Sequence, residues 1–259
     1  MRPRQFRESA MWLALGLVLM LPASTPDCQA PPGSRTATSP VIRETAKALK
    51  ARELMVQRQI VARGVRNLRV LQAMRRVPRH LFVPPAMQPY AYLDSPLTIG
   101  YEQTISQPYI VAFMTEALML QPNDRVLEVG TGSGYQAAVL SVLVREVYSI
   151  EIVEPLATEA AERLRRLGYA NVTVRSGDGY RGWPENAPFN AIMVTAAPDH
   201  VPQTLLDQLA PGGRLVVPVG NQFQTLVRIR HTAKGFNKEN LLPVQFVPMT
   251  GEAEKRRAH

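Results

Sequence analysis

Cysteine is nearly missing from this 259-residue chain, which carries only Cys28. One thiol excludes an internal disulfide framework and any metal centre built from clustered thiolates. Histidine is scarce too. His80, His200, His231 and His259 are scattered without ligand spacing, so they read as surface or packing residues, and no metal is expected. Long apolar runs are also lacking. The longest, residues 10–23, is about 14 residues, whereas a membrane-spanning helix needs roughly 20. No transmembrane span is therefore expected in the mature chain.

Acidic residues are outnumbered, 21 against 30 basic, for a net charge of +9. The surplus is concentrated between Arg43 and Arg79, where 11 Lys and Arg face only Glu44 and Glu53. Such a stripe can attract nucleic acid, but it is more often a solvated helix face. Nucleic acid is accordingly not the expected partner.

Arg2, Arg4 and Arg7 precede the apolar run, and small and turn residues follow it up to Ala30. That order reads as an export signal over 1–30, with an upstream extension from a misassigned start as the other reading. Residues 31–41, rich in Pro, Ser, Thr and Gly, read as a flexible linker. A single folded domain is expected over 42–259, with a helical and active-site segment (42–108) ahead of a ligand-binding core (109–259).

Apolar spacing predicts a helix over 45–63 ended by Gly64, and a second over 68–74 with Asn67 as its cap and Pro78 as its stop. Residues 78–108 read as irregular, and a helix follows over 109–120. Strands are then expected at 125–129, 146–150, 172–175, 190–195 and 214–219, alternating with helices at 135–144, 155–167 and 202–208. This alternation builds a mostly parallel α/β sheet with helices on both faces. Pro211-Gly212-Gly213 is expected to turn into the fifth of these strands. Residues 225–231 and 242–247 should form a terminal antiparallel pair.

The chemistry is concentrated at the strand ends. Glu128-Val129-Gly130-Thr131-Gly132-Ser133-Gly134 joins the first strand of the core to its helix, and glycines there let a ligand approach the backbone beside a helix N-terminus. Glu151, about twenty residues on, is placed to accept hydrogen bonds from ribose hydroxyls. The spacing G-x-G-x-G after an acid differs from the G-x-G-x-x-G of pyrophosphate binders. A carboxylate at Glu128 would repel a pyrophosphate and attract the ammonium of a methionine moiety, pointing to S-adenosylmethionine. Asp178, beside Gly179, is a candidate acceptor for an adenine amine, the alternative being a turn aspartate bonded to its own backbone.

Gln103-Thr104-Ile105-Ser106-Gln107-Pro108-Tyr109, the stretch from Val126 to Tyr135, Ser176-Gly177-Asp178-Gly179, Val194-Thr195-Ala196-Ala197 and Leu209-Ala210-Pro211-Gly212-Gly213 together resemble the protein-L-isoaspartate O-methyltransferases. The resemblance runs from about residue 52 to 250. It implies a Rossmann-like methyltransferase fold, S-adenosylmethionine as methyl donor, and the free carboxylate of isoaspartyl residues in damaged peptides and proteins as acceptor. It also implies that Ser106 stands at the methyl-transfer centre, that Thr104 and Ile105 line the donor site, and that Thr195 and Thr250 serve the acceptor side. In the family the methyl ester collapses to a succinimide whose hydrolysis restores some aspartate. The resemblance implies a cytoplasmic protein, whereas the N-terminus points to the periplasm; a monomer is expected. Two other readings stay open: a methyltransferase of another acceptor such as RNA, and a non-catalytic S-adenosylmethionine-binding protein. No G-x-S-x-G elbow surrounds Ser106, so a serine hydrolase is unsupported.

Overall fold

The computed structural model describes residues 44–257, so the expected export signal (1–30) and linker (31–41) lie outside the described residues. Thr45 caps α1 (Ala46–Met55), which continues through a π turn, Val56–Ile60, and a 3-10 turn, Val61–Arg63, before Gly64 reverses the chain at φ +97°. The Asn67 side chain accepts from the amides of Arg69 and Val70 and so starts α2 (Leu68–Arg76).

Part of the basic surplus turns inward here. Arg52 is buried and paired with Glu44, Arg75 pairs with Glu53, and Arg69 donates to the carbonyls of Leu120 and Leu143. Arg79 is fully buried; its Nε donates to the Ala91 carbonyl, and its guanidinium lies 5.0 Å from the Tyr135 ring centroid. Burial lowers its pKa to about 10. These cations hold the helical segment together, while Lys47, Lys50, Arg58, Arg63, Arg66 and Arg76 stay exposed.

The segment expected to be irregular carries two 3-10 turns and a hairpin of β1 (Leu97–Gly100) and β2 (Gln103–Ile105). Its two-residue loop is Tyr101-Glu102, with both residues left-handed (φ 51° and 57°). That is the backbone twist a tight hairpin requires, here without the glycine that normally supplies it. The hairpin delivers Ser106 to the start of α3 (Pro108–Ala117).

The core then alternates as read from the sequence through β3 (Arg125–Val129), α4 (Tyr135–Ser141), β4 (Glu146–Glu151), α5 (Glu154–Arg166), β5 (Val172–Ser176), β6 (Phe189–Val194), α6 (Gln203–Asp207), β7 (Leu209–Val219) and β8 (Gln224–Thr232). The last strand, expected over 242–247, is instead β9 (Gly235–Val244), which pairs with β8 directly from the Lys234-Gly235 turn, and an unexpected α7 (Glu252–Arg257) follows. Strand order is β5-β4-β3-β6-β7-β8-β9, parallel from β5 to β7 and antiparallel through β8 and β9. Pro211-Gly212-Gly213 corrects one expectation. The residues lie inside β7, where the register jumps from Phe189↔Leu209 to Ala191↔Arg214, so they bulge out of a strand already begun.

Alternate strand residues face opposite layers. Val126 and Val147 join the apolar layer with α1 to α5, while Leu127 and Val129 join the layer with α6 and α7. The chain leaves β3 toward β4 and β5, then returns to build β6 and β7 on the other side of β3. A reversal of this kind opens a crevice at the carboxyl ends of the central strands, where open α/β sheets bind ligands. Among the described residues, no helix is long and apolar enough to cross a membrane, and no group of three or more His, Cys, Asp or Glu is placed to hold a metal ion.

Candidate active site

The crevice lies where the reversal puts it. It is walled at the carboxyl ends of β3, β4 and β6 by Gly130 and Gly132, Glu151 and Ile152, and Thr195, together with Gly179 and Thr250. The Glu151 carboxylate is held in place by the amides of Gly132 (2.8 Å) and Val153 (3.1 Å). Gly130 sits at φ +98°, and a Cβ there would run into the Thr195 hydroxyl. Thr195 in turn donates to the carbonyls of Val129 (3.0 Å) and Gly130 (2.7 Å). A glycine cradle with a carboxylate on its wall fits a nucleoside ligand.

A second chamber continues past the turn between Thr104, Ile105, Ser106, Thr131 and Gln136. Beyond it a broad groove is lined by Arg63, Ser106, Gln107, Ile110 and the stretch from Leu242 to Val247. Thr104 and Thr195 border all three spaces, and Ser106 borders the last two. Gln107, not Ser106, caps α3, and no partner among the described residues holds the Ser106 hydroxyl. Its neighbour is anchored instead: the Gln107 side-chain amide donates to the Asp94 carbonyl and carboxylate.

Three residues read from the sequence, Glu128, Gly134 and Thr250, sit elsewhere than expected, and Asp178 makes the backbone bond of a turn aspartate. Glu128 is fully buried beneath the turn, not on the crevice wall; it accepts from Ser149, which also bonds Thr131, and its Oε1 has no partner. Burial, with the Glu151 charge adding to it and the Ser149 bond opposing it, pushes its pKa up to about 8. Gly134 packs under α5, where a Cβ would come within 3.1 Å of Leu164. Both Asp178 oxygens are occupied, one by the Tyr180 amide (2.9 Å) and the other by the Glu252 amide (2.8 Å). Asp178 thereby ties the turn to the C-terminal segment, as the Glu151 carboxylate is tied by its two amides, and Thr250 on that segment walls the crevice and not the broad groove.

The histidines are packing residues where described: His80 bonds Tyr92, His200 bonds Tyr180 and Asp199, and His231 meets the Leu209 carbonyl. Sequence reading missed Gln103, Ile152 and the wall from Val247 to Met249. The last reaches the site through the pairing of Pro248 with Ala197, a contact with no local signature.

The family profile described as protein-L-isoaspartate(D-aspartate) O-methyltransferase matches residues 50–254, most of the chain. The chain belongs to this family. A protein-L-isoaspartate O-methyltransferase from Synechococcus sp. (strain JA-2-3B'a(2-13)) is 60% identical over 206 residues, covering 76% of this chain and 84% of that protein. Protein-L-isoaspartate O-methyltransferase 2 of Shewanella sediminis is 57% identical over 214 residues, covering 82% and 88%. Among solved structures, a protein-L-isoaspartate O-methyltransferase superposes with a TM-score of 0.72 at 31% identity, over 80% of this chain and 69% of that one. A Plasmodium falciparum protein assigned to the same activity, solved with S-adenosyl-L-homocysteine, gives a TM-score of 0.68 at 26% identity, over 77% and 98%. The methyltransferase thus shares its fold and most of its length with this family.

Proposed function

We propose that the chain transfers a methyl group from S-adenosyl-L-methionine to the free carboxylate of isoaspartyl residues in damaged peptides and proteins. The observation carrying this reading is the continuity of crevice, chamber and groove, with Thr104 and Thr195 common to all three and the Ser106 hydroxyl unclaimed where the last two meet. S-adenosylmethionine, when bound, supplies a methyl group on a positively charged sulfur. Glu151 accepts from its ribose hydroxyls, Gly130 and Gly132 admit it close to the backbone, and Gly179 and Thr250 close the opposite wall.

The acceptor carboxylate, with a reference pKa of roughly 4, is already ionised at neutral pH, so this chain needs no general base. Ser106 donates to one carboxylate oxygen and leaves the other aimed at the methyl carbon. Ile105 and Thr104 hold the hairpin against the chamber and exclude water. Placement of this kind accounts for several kcal/mol of barrier.

Donor carrying a radioactive methyl, offered together with an isoaspartyl peptide and RNA, should label the peptide as a base-labile ester; stable label on RNA alone would overturn the reading. Ser106→Ala should lower kcat about a hundredfold while leaving donor affinity intact, the loss expected of a misplaced reactant. Full turnover would remove the role assigned to its hydroxyl. The intact mass of the native protein tests export: loss of about the first 30 residues means export by signal removal.

A further inference from the structure

The acceptor groove carries one charge among its described lining residues, and it is positive. Arg63 sits at the end of the 3-10 turn Val61–Arg63, and its neighbours along the groove, among them Pro96, Ile110, Pro243 and Val244, are neutral. The side chain is held in place. Its guanidinium carbon lies 3.6 Å from the Tyr109 ring centroid, and Nη1 lies 3.3 Å from the Asp94 carboxylate. Stacking on Tyr109, which is buried in α3, fixes the plane of the fork.

The Asp94 contact is a single long one between two groups about 40% exposed. Pairs of that kind hold weakly. Asp94 Oδ1 is already occupied by Gln107. Nε and Nη2 make no hydrogen bond to the described residues, which leaves donors for a second anion. An oriented guanidinium with free donors is suited to a carboxylate.

We propose that Arg63 is a specificity-determining residue that selects isoaspartyl substrates with a second anionic group, an acidic side chain or a chain-terminal carboxylate, close to the methyl acceptor. The inference rests on the carboxyl-methyltransferase reading above and adds a substrate class to it. Arg63 shares one groove with Ser106, and an extended peptide advances about 3.3 Å per residue. The second anion therefore belongs to a position within about two residues of the isoaspartyl group, the reach of a long arginine side chain.

The test uses the full chain and a set of blocked isoaspartyl peptides with Glu, Gln or Lys one or two positions before or after the isoaspartyl residue. At one of these positions the wild type should favour Glu over Lys by about tenfold in kcat/KM, with Gln between, and added salt should shrink the ratio. Arg63→Glu should reverse the order of the Glu and Lys peptides. Asp94→Asn should enlarge the wild-type preference by releasing Arg63. The proposal is overturned if the wild type treats the peptides alike at every position, or if Arg63→Glu keeps the wild-type order. Arg63 is exposed, and an unchanged thermal midpoint in the variants excludes misfolding as the cause. Methylation of all peptides without discrimination sinks only this proposal. Methylation of none sinks the functional reading beneath it.

Discussion

The Thr195 hydroxyl occupies the space that a side chain at Gly130 would need, and it fixes the Gly130 carbonyl from 2.7 Å. Two ends of the parallel sheet, β3 and β6, are thereby joined at the point where donor and acceptor spaces meet. Gly130→Ala should cost about 2–3 kcal/mol in chemical denaturation, because φ +98° is strained for alanine and the new Cβ strikes Thr195. Thr195→Ala in the same chain should recover part of that loss, although alone it removes two hydrogen bonds. Strict additivity of the two changes would contradict the contact.

Glu151 is the carboxylate that the sequence and the fold both place on the donor wall. Removing its charge in Glu151→Gln should weaken binding of S-adenosylhomocysteine about tenfold, the scale of a hydrogen bond to a charged group. Calorimetric titration checks this, and an unchanged affinity would take Glu151 out of donor recognition.

Glu128 makes a pH prediction. Its folded pKa, pushed up to about 8 by burial, exceeds an unfolded value near 4.5. Its proton therefore favours folding fully below the unfolded value, and that advantage is lost as pH rises from about 5 through 8. Glu128→Gln keeps a neutral group in the same space and should flatten that decline, becoming the more stable of the two chains above pH 8. Equal slopes of stability against pH in denaturant titrations would mean that the carboxyl is ionised in the fold.

Glu102 sits at φ 57° in the turn that delivers the segment from Thr104 to Ser106. Left-handed backbone costs an ordinary residue roughly 1–2 kcal/mol and glycine little. Glu102→Gly should raise the Tm by about 2 °C. A lower Tm would show that the turn is not under strain.

The strand–helix alternation, the glycine turn and Glu151 were legible in the sequence because each has a local signature: a period, a breaker, a fixed spacing. The β1–β2 hairpin was not, since its turn uses Tyr101 and Glu102 where a glycine or asparagine would have announced it. Glu128 misled for a related reason. A strand buried on both faces gives no alternation to say whether an acid beside the glycines points into the crevice or beneath it. The bond from the Glu252 amide to Asp178 spans 74 residues, so it too leaves no mark on the local sequence. The groove beside Ser106 depends on residues 242–247, brought there by β8 and β9, and long-range pairing of that kind leaves no mark on the local sequence.

Two peptides identical except for isoaspartate or aspartate at one position provide the most direct test. Incubated with the full chain and methyl-labelled S-adenosylmethionine, the isoaspartyl peptide should gain a base-labile methyl ester and the aspartyl peptide should stay unlabelled. Equal labelling of the two, or none of either by a folded chain that binds S-adenosylhomocysteine, would contradict the account.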